Sequence, residues 1–104
     1  MSKTKSDPVD RELYSGLIRL HVLHHAAQSP IFGLGIIEQL ANHGYRISPG
    51  SLYPLLHGLE NKGYLRSSQE AHGRSRRTVY RATALGRKAL EAAKLKVRQL
   101  MDGQ

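Results

Sequence analysis

The sequence predicts a mainly α-helical fold carrying one small β-hairpin, and three observations support it. Leu52, Leu55, Leu56 and Leu59 fall at i, i+3, i+4 and i+7, the spacing of one helical face. Two short strand-like runs, Leu65 to Gln69 and Thr78 to Ala82, flank a polar segment, EAHGRSRR, that holds Gly73. Beyond them Leu90, Ala93, Val97 and Leu100 repeat at three- and four-residue spacing, which marks a final helix. With two helices upstream, the order is helix, helix, helix, hairpin, helix. This is the order of a winged helix-turn-helix followed by a C-terminal helix.

Each element has its own local signal. Residues 1–8 are expected to form a flexible, polar arm, in which Lys3 and Lys5 add a mobile cationic segment. Asp7-Pro8 reads as cap and first residue of helix one, expected over about Val9 to Ala27. Its stripe is Leu13, Leu17, Leu20 and His24, widened by Ile18, His21 and Val22. Ser29-Pro30 breaks it, and Ile31-Phe32 is expected to form a brief strand beside the wing. Helix two spans about Gly33 to Asn42, ended by His43-Gly44 with Gly44 in the left-handed position. Helix three has Ser48 as its cap, Pro49 first, an irregular first turn caused by Pro54, and Gly63 as its stop. The segment between the strands is expected to be a flexible loop. Thr83 caps the last helix, about Ala84 to Met101, with Leu85 and Met101 near its ends.

Composition narrows the function. A chain of 104 residues makes one small body with little core to spare. The formal charge is +8, and between Lys62 and Arg98 there are eleven Lys or Arg against two acids, Glu70 and Glu91. That balance favours a polyanionic partner. Cysteine is absent, which excludes a disulfide framework, a thiolate metal cage and a Cys nucleophile, and fits a cytoplasmic location. No run of about 18 apolar residues suggests a membrane span, and no signal peptide is expected. No paired carboxylates, phosphate-binding glycine loop or GxSxG motif suggests catalysis, so the chain is not expected to be an enzyme.

Helix three and the hairpin carry the candidate binding residues. Opposite its leucines the helix presents Gly50, Pro54, His57 and Asn61, with Ser51 and Tyr53 on the flanks: slim and uncharged, suited to close approach to a groove. Tyr53, Ser48 and Ser51 can hydrogen-bond phosphate, and the helix N-terminus adds free amides. Arg74, Arg76 and Arg77 lie at or beside the hairpin tip, placed for phosphates or a minor groove. The plainer alternatives are a core-edge aromatic for Tyr53, a simple N-cap for Ser48 and a solvated charge cluster for the arginines.

Four segments carry a family resemblance. GLIRLHVLHHAAQSPIFGLGIIEQL, SPGSLYPLLHGLENKGYL, GRSRRTVYRATALGRKAL and the short C-terminal helix are similar to the PadR family of bacterial transcriptional regulators, named for control of phenolic-acid decarboxylase. The resemblance covers roughly residues 13–100 and is to the small subgroup without a further domain. It implies a homodimeric repressor on an inverted-repeat operator, with a winged helix-turn-helix over 9–83 and a dimerisation helix over 84–104. By position, Ser48, Gly50, Ser51, Tyr53 and Pro54 match the DNA-facing start of the reading helix, and Arg74, Arg76 and Arg77 match the wing. Two departures stand out: Gly35 where a bulkier residue is common, and His57 where a basic residue is common. A dimer interface is expected through Leu13, Leu17, Leu90, Ala93, Val97 and Leu100. The resemblance also implies an effector that lowers DNA affinity, bound near that interface between the first and last helices. From the residues, a small molecule or metal is expected in a cleft flanked by Leu13, Leu17, His21 and the final helix.

The sequence implies no cofactor and assigns no metal site. His21 and His25, one turn apart beside His24, are the candidate ligands, with a third from His43, His57, His72 or a second subunit. The alternative is histidines packed at the dimer interface. Two other functions compete with a specific regulator. A sequence-tolerant architectural DNA binder would use the same charge, and a protein-binding winged helix would leave the wing idle.

Overall fold

The computed structural model describes residues 10–103; the expected arm over 1–8, with Lys3, Lys5, Asp7 and Pro8, lies outside them. The elements are α1 (Arg11–Gln28), α2 (Gly33–Asn42), α3 (Pro49–Asn61), β1 (Leu65–His72), β2 (Ser75–Ala82) and α4 (Ala84–Met101). The expected mainly helical fold with one hairpin is the fold observed.

Helix α1 starts at Arg11, two residues later than expected, and its cap is Asp10, whose Oδ1 accepts from the Leu13 amide at 2.9 Å. An aspartate side chain there satisfies an amide that the helix leaves unpaired. Two adjacent apolar stripes run along α1, and the core takes Ile18, Val22, Leu23 and Ala26. Leu13 and Leu17, at one end of the expected stripe, stay 63% and 42% exposed.

Helices α2 and α3 end alike. The Tyr45 amide donates to the Leu40 carbonyl at 2.9 Å and Gly44 to Ala41 at 3.0 Å, with Gly44 at φ +89°. At the end of α3 Tyr64 donates to Leu59 and Gly63 to Glu60, both at 2.9 Å, with Gly63 at φ +84°. Both are Schellman closures, in which glycine supplies the left-handed residue without a Cβ clash. Helix α3 continues through Pro54 to Asn61. Its first turn is tightened, because the Ser48 carbonyl accepts from both Ser51 (3.0 Å) and Leu52 (2.9 Å).

The hairpin differs from expectation. Strands β1 and β2 pair antiparallel without interruption from Leu65↔Ala82 to His72↔Ser75, so EAHGRSRR is not a flexible loop. Only Gly73 and Arg74 turn the chain, with Gly73 at φ +61° as a two-residue hairpin turn requires. Polar cross-strand contacts replace apolar alternation: Gln69 to Thr78 at 2.6 Å, and Arg81 to Glu70 at 2.7 Å. Behind the hairpin, Ile31 exchanges two backbone hydrogen bonds with Tyr80, at 3.0 and 2.8 Å. The expected strand at Ile31-Phe32 is this single bridge.

One core unites the elements: Val22 from α1, Ile36 and Leu40 from α2, Leu52, Leu55, Leu56 and Leu59 from α3, Leu65 and Tyr80 from the hairpin, and Leu90 from α4. The start of α4 is tied to the hairpin. The Thr83 hydroxyl donates to the Gly63 carbonyl at 2.6 Å and accepts from the Gly86 amide at 2.9 Å, while the Thr83 amide donates to the Tyr64 carbonyl at 3.0 Å.

At Gly86 a Cβ would sit 2.1 Å from the Tyr64 carbonyl oxygen. Gly86→Ala must therefore push α4 off the hairpin, and is expected to destabilise by about 2–3 kcal/mol. Gly58→Ala, where a Cβ meets open space, is expected instead to stabilise by about 0.5–1 kcal/mol. Paired urea melts of the two variants check the contrast.

Candidate nucleic-acid interface

Helix α3 divides sharply by face. Its four leucines are buried, and Ser48, Gly50, Ser51, Tyr53, Pro54 and His57 are all exposed. The apolar spacing dictates this division, because anchoring one face turns the other outward. These exposed positions include no Lys, Arg, Asp or Glu. No side chain caps the N-terminus: the Ser48 hydroxyl points to the Ser51 hydroxyl at 3.5 Å instead of to an amide. The expected cap is present in position but not in side-chain bonding; Pro49 has no amide hydrogen and Ser51 and Leu52 donate to the Ser48 carbonyl, so of the first-turn amides only that of Gly50 is left without a partner among the described residues. Pro54 lacks an amide hydrogen, so the Gly50 carbonyl also loses its usual partner within the helix.

Tyr53 has a second contact. A Cβ on Gly33 would fall 2.0 Å from the Tyr53 hydroxyl oxygen, so the hydroxyl end of this side chain sits against the glycine that starts α2. Tyr53 remains 38% exposed, an aromatic at the edge of the core. Nearby, burial pushes the Tyr80 hydroxyl pKa up, with Glu60 and Tyr53 adding to the effect, so Tyr80 stays neutral.

The three wing arginines separate. Arg74 sits in the turn and Arg76 in β2, both exposed. Arg77 is half-buried, and its guanidinium lies 3.7 Å from the centroid of the Phe32 ring. Its buried Nε has no hydrogen-bond partner. That ring in turn lies over Gly35, where a Cβ would meet it at 2.9 Å. The small residue at position 35 thus makes room for Phe32, and Phe32 holds Arg77 by cation–π stacking. Strand alternation explains the split, since adjacent residues point to opposite faces.

Between α3 and the wing runs a cleft where Tyr53 and His57 face His72, Arg77 and Thr78. On the other flank of α3 lies a second cleft that sequence reasoning missed. Arg11, Arg19 and Arg46 gather there around Ser48, Ser51 and Pro54. Arg19 is oriented by bonds to the Ser15 carbonyl and hydroxyl. The available signal was the polar face of α1, where Arg11, Ser15 and Arg19 succeed one another at four-residue spacing. Arg46 had no signal, because only the turn geometry brings it there. Cations therefore flank the neutral helix on both sides.

The other expected residues lie elsewhere. Leu17, Val97 and Leu100 are exposed on α1 and α4, Ala93 is half-buried, and Leu90 is 3% exposed within the core. His21 and His25 lie on α1 close to His43 at the end of α2. Among the described residues no helix is long and apolar enough to cross a membrane.

Comparison with known proteins agrees with this geometry. Residues 22–92 match the family described as Transcriptional regulator PadR-like family. The chain is 48% identical over 99 residues to a transcriptional regulator of Mycobacterium tuberculosis, covering 90% of this chain and 92% of that one. It is similar to the crystal structure of a PadR family regulator from Eggerthella lenta, with 34% identity, a TM-score of 0.78 and coverage of 88% and 81%. A PadR-like regulator from Bacillus cereus shares the fold at 24% identity, with a TM-score of 0.71 over 89% and 99% of the two chains. These are regulators rather than enzymes. The chain belongs to the PadR-like family of transcriptional regulators and is a DNA-binding regulator of that family.

Proposed function

We propose that the protein is a homodimeric repressor that grips an inverted-repeat operator with α3 and the β1–β2 wing, and is released by an effector at the dimer seam. The observation that carries the reading is the bare N-terminal half of α3 with exposed arginines on both sides. A slim uncharged helix end can enter a major groove, while Arg74 and Arg76 on one side and Arg11, Arg19 and Arg46 on the other meet the phosphates. Ser48, Ser51 and Tyr53 add hydroxyl donors for phosphate oxygens, and Gly50 lets the backbone approach. Few side chains, chiefly those near Ser51, Pro54 and His57, are available for base edges. DNA shape and deformability then contribute to selectivity.

The division into a winged helix-turn-helix over 9–83 and a dimerisation helix over 84–104 is part of the same proposal. Leu13 and Leu17 on α1 and Val97 and Leu100 on α4 support it, because each leaves apolar surface exposed, Leu100 at 72%, that a twofold seam would cover. A twofold axis through that seam would set two copies of α3 about one DNA turn apart, roughly 34–36 Å. Beside it a groove of about 330 Å³ between α1 and α4 is lined by Leu20, His24, Val97 and Met101, with Lys94 and Arg98 at its edge. Its size suits one small, largely apolar effector.

Titrating a duplex operator at several salt concentrations tests the wing. The double variant Arg74→Ala, Arg76→Ala is expected to weaken binding and to lower the slope of log affinity against log salt by about one for each phosphate no longer neutralised. An unchanged slope would remove the wing from the interface. Arg77→Ala is expected to lower the melting temperature more than the DNA affinity, because its guanidinium stacks on Phe32. Leu17→Glu with Leu100→Glu is expected to yield a monomer by sedimentation and to cut operator affinity by orders of magnitude.

A further inference from the structure

On α1, His21 and His25 stand one helical turn apart, with ring centroids 6.4 Å from each other. His43 reaches them from the end of α2, 5.1 Å from His21 and 5.9 Å from His25 between ring centroids. One ring nitrogen from each residue lies within 4.8 Å of the other two. We propose that His21, His25 and His43 form a three-imidazole site for a divalent transition-metal ion of the zinc type.

Tetrahedral zinc with Zn–N near 2.0–2.1 Å holds its nitrogens about 3.3–3.4 Å apart. The three rings must close by at most about 1.5 Å, which side-chain torsions supply without backbone movement. The backbone is already fixed on both sides. Helix α1 sets His21 and His25 at i, i+4, and the Schellman closure at Gly44 holds His43 as the C-cap of α2. The Tyr14 hydroxyl reinforces that closure by donating to the Gly44 carbonyl at 2.9 Å.

The His25 Nε2 atom is buried and has no hydrogen-bond partner. A buried ring nitrogen without a partner is costly, and coordination removes the cost. Burial lowers the pKa of both His21 and His25, and the neighbouring histidines, His43 first for His21 and His24 first for His25, lower it further. That shift favours the neutral form of His21 and His25, the form that binds metal. His24 stands outside the trio, its Nε2 3.1 Å from Gln28 Nε2.

Donor chemistry selects the ion. Three imidazoles without a carboxylate suit zinc, cobalt, nickel or copper and not the oxygen-seeking magnesium or calcium. Three protein ligands leave a fourth position for water or a small anion. The ion would bridge α1 to α2, the first helix of the helix-turn-helix. Since His21 also lines the α1–α4 groove, it links that bridge to the proposed seam. Metal binding itself does not depend on the operator or dimer reading, so it is measured without DNA.

Metal-free protein is titrated with zinc by calorimetry and with cobalt by visible absorption, with magnesium as the control. The expected result is one zinc per chain, an intense tetrahedral cobalt band and no response to magnesium. Loss of an outer-shell partner alone costs such sites about 10- to 100-fold, so His43→Ala is expected to weaken zinc by at least about 100-fold. His21→Gln should do the same and His72→Ala should not. Zinc should raise the melting temperature of the wild type and of His72→Ala, but not of His43→Ala, whose metal-free far-UV spectrum should match the wild type. No stoichiometric zinc binding would overturn the site. So would wild-type affinity in both His43→Ala and His21→Gln.

Discussion

The seating of α3 on the core is the constraint on which the rest depends. Leu52, Leu55, Leu56 and Leu59 are all buried, so the helix cannot rotate about its axis without exposing leucine to water. At about 25 cal/mol per Å² of apolar surface, exposing even one leucine costs on the order of 2 kcal/mol. That fixes which residues look outward. Ser51, Pro54 and His57 present a neutral face because the leucines have determined the orientation. Regulation by such a protein rests first on a packing fact, and only then on charge.

Close backbone approaches hold the surroundings of α3 in place. Gly33 lets the hydroxyl end of Tyr53 sit against the start of α2, and Gly86 lets α4 begin against the Tyr64 carbonyl. The Ile31–Tyr80 bridge fastens the hairpin to the segment between α1 and α2. The wing therefore has a defined position relative to α3, although its outer half is polar and contributes little to the core. The stack of Arg77 on Phe32, itself over Gly35, adds an attachment on the same side. One of the three wing cations thus serves the fold, leaving Arg74 and Arg76 free at the tip.

Much of this was legible in the sequence where one physical cause dominates. The leucine period placed α3, Gly44 and Gly63 placed two helix ends, and Thr83 placed the start of α4. Other features depended on partners distant in the chain. Residues 70–77 lack apolar alternation, so their extended pairing is visible only once Gln69 meets Thr78 and Glu70 meets Arg81. Helix α1 carries two apolar stripes, and only the position of the core shows that Ile18 and Val22 face inward while Leu13 and Leu17 face out. The separate fate of Arg77 needed Phe32, and the cationic cleft on the far flank needed Arg46 to fold back beside Arg11 and Arg19. Of the four possible sources of a third ligand for His21 and His25, the capped end of α2 brings in His43.

The central claim is that the neutral face of α3, duplicated by a twofold axis, reads a defined DNA sequence. Selection of binding sites from a random duplex pool, in the presence of nonspecific competitor, tests it most directly. The account predicts enrichment of an inverted repeat whose half-site centres lie about one helical turn apart, roughly 10–10.5 base pairs or a multiple of that. A pool that stays random, with binding that competitor removes, would contradict it and identify a sequence-tolerant architectural protein instead.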